Sequence, residues 1–330
     1  MKRPSAAPFF SFLSTSPQFF RYLFVIVVLL LAGSAPIHAQ AVVGAERVEF
    51  DSLDQSGGQA VRLFGWFFLK GSSPAKGPLV VALHGCGGLY GRDKDLTARH
   101  REMAELLRQQ GYHVLLPDSF RPRGYESICT AKIAARDLTT ANRRRDVLGA
   151  LAWAAARPEV DPGRIALLGW SHGGSTVLST NNRLNSEVAG HAVQPRAAVA
   201  FYPGCRAYLN AREGYRPNAP LLLMIGEKDD WTPPKPCVAL YEKARAEYPD
   251  MAFEMRVYPD SYHDFDAPNA PLRVLKDVPN GVNPGKGVTV GSNPAARRQA
   301  YAEMVEFLKL RMGAGAAAPL KPAAARSNSD

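Results

Sequence analysis

The sequence predicts an α/β fold, a single domain built on a mostly parallel central sheet flanked by helices. Three observations predict it. Residues 79–83, 165–168 and 221–225 are short, continuously apolar runs, as expected of strands buried on both faces. Segments of helical character alternate with strand runs along the chain, which favours parallel strands joined by crossover helices. The 330-residue chain carries no internal repeat and no second domain boundary, and it is long enough for one substantial core.

The elements follow in order. Residues 60–69 alternate in character and suit an antiparallel edge strand. The apolar strand 79–83 leads into a glycine-rich loop. A helix over 98–109 and a strand over 112–116 come next, then a helix over 142–156 that leads into the strand at 165–168. Strands at 197–202, 221–225 and 253–258 follow, with helices over 236–248 and 295–312. Residues 267–294 are rich in Pro, Gly and Asn, and a long irregular loop there would be either a lid or an ordered surface covering. Residues 313–330, small and Ala/Pro-rich, are expected to form a disordered tail.

The strand at 165–168 runs into Gly169-Trp170-Ser171-His172-Gly173-Gly174. This is the G-x-S-x-G pattern of a nucleophile elbow, a sharp turn between strand and helix with serine at its apex. Glycines two residues before and after the serine let strand and helix approach closely. The next backbone N–H, that of His172, then points where an oxyanion would form. A serine needs a base, so the pattern requires an acid and then a histidine further along the chain. Of the seven histidines, His38 lies in the N-terminal segment, and His84, His100 and His113 precede the serine. His172 belongs to the elbow, and His191 precedes any strand that could present the acid. His263 remains, on the loop after the strand at 253–258. The acid should stand just past the strand at 221–225, where Asp229 and Asp230 both qualify; Asp229 is favoured, three residues after the strand-ending Gly226. The second oxyanion donor should come from the loop His84-Gly85-Cys86-Gly87-Gly88, with the Cys86 backbone N–H as the choice.

These words carry a family resemblance. The loop at His84, the elbow at Ser171, the turn Gly226-Glu227-Lys228-Asp229-Asp230-Trp231-Thr232-Pro233 and the run Tyr262-His263-Asp264-Phe265 resemble the dienelactone hydrolase branch of the α/β-hydrolases. The matching words span about residues 79–266, and the final helix extends the match to about 310. The resemblance implies the α/β-hydrolase fold and ester hydrolysis. The enzymes that name the family use a cysteine nucleophile, whereas position 171 is serine, so the expected substrate is a carboxylic ester or lactone rather than dienelactone itself.

The expected chemistry is two-step acyl transfer. His263 takes the Ser171 proton, Asp229 orients His263, and the N–H groups of Cys86 and His172 hold the tetrahedral oxyanion. No metal and no organic cofactor is required. Trp170, Trp231 and Tyr262 flank the three candidate positions and either line a substrate pocket or pack around the strand ends. Competing readings are a non-catalytic binding protein on the same fold, and a peptidase or acyltransferase using the same residues.

Residues 1–39 have the character of a secretory signal peptide. Lys2, Arg3 and Arg21 are positive, no acid precedes Glu46, and residues 23–32 are continuously apolar. That run is short of the roughly 20 residues that span a bilayer. Small residues follow, with cleavage expected after Ala39 (or Ala41), leaving a domain over 40–312; an uncleaved anchor is the alternative. Cleavage lowers the formal charge from +10 to +7 by removing those three cations. The remaining basic residues are scattered apart from Arg143, Arg144 and Arg145, of which one or two should pair with local carboxylates. With no nucleic-acid motif beside them, they argue against a nucleic-acid partner and leave a small-molecule ester as the expected one. Nothing in the sequence specifies an oligomer. Export to the periplasm or medium gives the four cysteines meaning. Of the three pairings they allow, Cys86–Cys129 and Cys205–Cys237 are expected, because the loops carrying Cys205 and Cys237 should neighbour each other at one sheet edge; free buried thiols are the alternative.

Overall fold

The computed structural model describes residues 42, 44–71 and 75–313. The expected signal segment 1–39 lies outside them, as does the expected tail apart from Gly313. Eight strands form one sheet: β1 (Ala45–Ser56), β2 (Gln59–Phe68), β3 (Gly77–Leu83), β4 (His113–Asp118), β5 (Val160–Trp170), β6 (Ala197–Phe201), β7 (Leu221–Gly226) and β8 (Phe253–Tyr258). Their order is β1-β2-β4-β3-β5-β6-β7-β8. From β4 to β8 every neighbouring pair is parallel, whereas β2 is antiparallel to both β1 and β4. The apolar runs at β3, β5 and β7 are sealed on both faces by helices, which is why they show no alternation.

The helices are α1 (Ala98–Gln109), α2 (Thr140–Ala155), α3 (His172–Thr180), the one-turn α4 (Ser186–Ala189) and α5 (Arg206–Leu209), α6 (Pro234–Glu247) and α7 (Pro294–Met312). In α1, His100, Met103, Ala104 and Leu107 are buried, the spacing of one helical face. Thr139 starts α2 with a capping box, its side chain accepting the Asn142 N–H while Asn142 reaches back. Asn293 caps α7, where Pro294 takes the first-turn position that needs no N–H. No helix among the described residues is long and apolar enough to cross a membrane.

Two features depart from the sequence expectations. The outer edge of the sheet is β1, and 60–69 sits one strand in. On β1 the inward positions after Val48 and Phe50 are Ser52 and Asp54, both buried, so the hydrophobic alternation breaks off halfway. Ser52 donates to Asp146, and Asp54 pairs with Arg123 and Arg145, so polar side chains replace the apolar signal. The second departure lies within 267–294, where β9 (Arg273–Leu275) and β10 (Val288–Val290) form an antiparallel ribbon. Its Val288 and Val290 pack with Val278 against Trp231, an ordered covering beside the strand ends.

Candidate active site

Ser171 stands between β5 and α3 with φ 53° and ψ −114°, a conformation costing a non-glycine residue about 1–3 kcal/mol. The surrounding glycines explain how the chain tolerates it. A Cβ on Gly169 would strike the Gly173 carbonyl, and one on Gly173 would strike the Leu83 carbonyl of β3. The helix can therefore begin directly over the sheet only with glycine at both positions. Close approach puts the first turn of α3 beside the loop after β3, bringing His172 and Cys86 to one place.

Three side chains from three strand ends meet there. Ser171 Oγ lies 2.9 Å from His263 Nε2, and His263 Nδ1 lies 2.8 Å from Asp229 Oδ2. A carboxylate on Nδ1 requires that nitrogen to carry the proton, leaving Nε2 as the acceptor for the serine hydroxyl. Asp229 is held from every side. Its Oδ1 accepts the backbone N–H groups of Trp231 and Thr232, and Thr232 Oγ1 lies 3.0 Å from Oδ2. Asp230 does something else: it accepts from the N–H and hydroxyl of Thr289 and thereby ties down the ribbon. His263 is 1% exposed. Burial pulls its pKa down, but the charge and hydrogen bond of Asp229, with the charge of Asp264, outweigh burial and raise it above the ordinary histidine value.

The residues of the two candidate oxyanion donors, Cys86 and His172, line the same cleft as Ser171. As the first residue of a helix, His172 has no intrahelical acceptor for its N–H. Among the described residues neither it nor the Cys86 N–H is given to a protein acceptor. The Cys86 loop is braced: its carbonyl accepts from Ile128 N and Ser127 Oγ, and its sulfur is bridged to Cys129. The second bridge joins Cys205 to Cys237.

Arg143 was not singled out by sequence reasoning as a site residue. Arg144 and Arg145 pair with Glu187, but Arg143 turns inward and is fully buried. Its guanidinium donates to His84 O and to His172 Nδ1, both at 2.9 Å, so it ties together the two loops that hold the oxyanion donors. Burial lowers its pKa to about 10, which leaves it charged. Its helix offered a signal: Arg143 stands in register with the buried stripe Val147, Ala150 and Ala154.

Asp266 is the other unforeseen residue. This fully buried carboxylate accepts from Trp170 Nε1 at 2.8 Å, Tyr202 OH at 2.5 Å and Tyr301 OH at 3.2 Å, and lies 3.4 Å from Arg99 Nε. It thus links the residue before Ser171, the ring packed 4.5 Å from His263, and the loop that carries His263. Trp170 is consequently part of the core and not of the cleft lining, the packing alternative of the two the sequence left open; its indole needs a partner and finds it in Asp266. Tyr262 is not among the residues that line the cleft either. Trp231 does line it, its ring 4.7 Å from His263.

The cleft over Ser171 has a volume of about 1060 Å³. Its lining includes Cys86, Ile133, Arg136, Tyr208, Trp231 and Lys235, together with residues 280–282 of the ribbon loop. Asn280 accepts from Ile133 N and donates to Ala131 O. Among the described residues no cluster of His, Cys, Asp and Glu has the form of a metal site.

Comparison with known proteins agrees with this architecture. The model of the dienelactone hydrolase family matches residues 67–311. No curated protein matches the chain. Among solved structures, the chain is similar to a dienelactone hydrolase-like promiscuous phosphotriesterase from metagenomic libraries. The TM-score is 0.57 at 19% identity, covering 82% of this chain and 100% of that one. It is also similar to esterase 2 of Thermogutta terrifontis phosphorylated by paraoxon, with a TM-score of 0.56 at 17% identity, covering 85% and 99% of the two chains. The butyrate-bound form of that esterase gives 0.54 at 16% identity, covering 84% and 97%.

Proposed function

The chain belongs to the dienelactone hydrolase family, and on that premise we propose that it is an exported serine hydrolase cleaving carboxylic esters or lactones through an acyl-enzyme. One observation carries the reading: the unbroken line from Ser171 Oγ through His263 to Asp229, at 2.9 and 2.8 Å. His263 Nε2 takes the hydroxyl proton as Ser171 Oγ attacks the ester carbonyl carbon. The imidazolium so formed is stabilised by Asp229, which stays ionised. The negative charge that develops on the carbonyl oxygen is held by the N–H groups of Cys86 and His172, each worth roughly 3 kcal/mol in such a role. The buried Arg143 guanidinium, bonded to the His172 ring and to the His84 carbonyl at the start of the Cys86 loop, adds a favourable field in a water-poor setting. Collapse of the intermediate breaks the ester C–O bond, and His263 gives its proton to the leaving alkoxide. Water, deprotonated by His263, then attacks the acyl-enzyme and releases the acid.

Export is the second part of the proposal, with residues 1–39 as signal peptide and 40–312 as the mature domain. The two disulfides support it, since such bridges persist in oxidising compartments. N-terminal sequencing of secreted protein tests it: a chain beginning at Met1 would refute cleavage. For the chemistry, the T. terrifontis esterase phosphorylated by paraoxon suggests a titrant. Paraoxon should phosphorylate Ser171 stoichiometrically and abolish hydrolysis of a panel of esters. Ser171→Ala should neither be labelled nor hydrolyse them. Equal ester hydrolysis by wild type and Ser171→Ala would overturn the mechanism, and hydrolysis of amides in preference to esters would move the chain to the peptidases.

A further inference from the structure

The side chain of His172 plays no part in the proton transfers above, where only its backbone N–H is used. It nevertheless stands one residue from Ser171 and lines the cleft. Arg143 Nη1 lies 2.9 Å from its Nδ1. A guanidinium has no lone pair to offer, so the contact exists only if Nδ1 is the acceptor, and a neutral imidazole must then carry its proton on Nε2. Burial, together with the charges of Arg143 and Arg136, holds the His172 pKa well below the ordinary value, so the ring is neutral at working pH. Nε2–H has no protein acceptor among the described residues, and the ring keeps partial exposure. The fully buried His84 differs, spending both nitrogens on protein by donating to Gly85 O and accepting from Ser119 N, whereas the Nε2 of buried His100 is closed off from solvent and open to no ligand. No carboxylate lines the cleft to take the free His172 proton. Arg136 also lines the cleft, and among the described residues it forms no ion pair.

We propose that His172 is a substrate-contacting residue: its Nε2–H, oriented by Arg143, donates to an oxygen acceptor that the ester carries beside its scissile group. The preferred substrates are therefore oxygenated esters (ether, hydroxyl or further carbonyl oxygen near the reacting carbonyl) rather than plain alkyl esters. The proposal rests on the serine-hydrolase reading, and it adds a specificity determinant to that site. Arg143 acts through His172 and is a positioning residue.

Two size-matched ester pairs test it by pH-stat hydrolysis. One compares ethyl hexanoate with its analogue in which a single acyl methylene is replaced by oxygen. The other compares pentyl acetate with the same replacement in the alcohol chain. In at least one pair, the ratio of kcat/KM for the ether ester over the hydrocarbon ester should fall about tenfold in His172→Phe, the loss of one neutral hydrogen bond. His172→Gln, which restores an N–H donor, should recover part of the ratio. Ratios unchanged from wild type in both pairs, with hydrolysis still dependent on Ser171, would overturn the subsite and leave the hydrolase reading standing. Nitrogen-15 NMR of wild-type protein is a second measurement that requires no variant. It should show His172 neutral with the proton on Nε2 at neutral pH, and a ring protonated on Nδ1 would overturn the proposal.

Discussion

Removing the Cys86–Cys129 bridge separates the brace on the oxyanion loop from general stabilisation by a cross-link. The bridge closes a loop with a sequence separation of 43, and Cys205–Cys237 one of 32. On the chain-entropy model both loops correspond to about 4 kcal/mol, and they differ by only about 0.3 kcal/mol. With an unfolding entropy of about 2.1 cal/mol/K per residue, a domain of this size should lose roughly 7 °C in Tm for each bridge removed. The double variants Cys86→Ala/Cys129→Ala and Cys205→Ala/Cys237→Ala should thus melt at similar temperatures, as read by calorimetry. Their kinetics should differ. Alanine keeps the Cys86 N–H, and the bonds from Ile128 and Ser127 to the Cys86 carbonyl still hold the loop in part. Losing an oxyanion donor outright costs about 3 kcal/mol, so a donor loosened but not lost should lower kcat by about tenfold. Cys205 lines the cleft but carries neither of the proposed oxyanion donors, so its pair should act on KM. Equal kcat losses in the two variants, or an unchanged kcat in the first alongside its lower Tm, would refute the brace.

Three further outcomes follow from the geometry. His263 must be neutral to act as base, and its pKa is raised, so kcat/KM should rise with pH through a midpoint above about 6.5. Asp264→Asn removes one of the charges that raise it and should move that midpoint down while Asp229 keeps its place; a midpoint unmoved in pH-rate profiles would refute this assignment. Burial depresses His84 and His172, drives His100 down to about 3 and His113 to about 4, so these rings stay neutral in the fold while unfolded histidines protonate near pH 6.5. Their folded pKa values lie below the unfolded ones, so stability is whole above pH 6.5 and is lost as pH falls. By pH 5 the loss from these rings should approach four protons, about 5 kcal/mol per pH unit, and a slope below one proton in urea titrations would contradict it. Asp266→Asn strips the charge facing Arg99 and misplaces an N–H against Trp170, Tyr202 or Tyr301, so it should destabilise by about 3 kcal/mol, the scale of breaking a buried pair. It should also lower kcat more than it raises KM, because Trp170 and Tyr202 hold the backbone and ring around Ser171 and His263; a loss confined to KM would show that the hub does not position them.

What the sequence made legible were features that repeat a local rule. The continuous apolar runs of β3, β5 and β7, the glycines of the elbow and the strand-end placement of Asp229 and His263 each follow from chemistry within a few residues of chain. What it hid depends on partners far away in the chain. Asp266 gathers hydrogen-bond donors from positions 170, 202 and 301 and a charge from Arg99, and no window around it shows a period. Edge strand β1 was obscured because Ser52 and Asp54 face inward to Asp146 and Arg123, and the ribbon β9–β10 because its two short strands are separated by a glycine-rich loop. Trp170 misleads for a related reason: neighbouring a nucleophile in sequence means pointing away from it, since the elbow turns Ser171 outward while the preceding residue still belongs to the pleat of β5. By the same geometry the residue after the nucleophile starts a helix beside the cleft. That position would let His172 offer both the backbone N–H proposed for the oxyanion and the ring proposed for the substrate, and Arg143 is the buried charge that bonds the ring to the loop after β3.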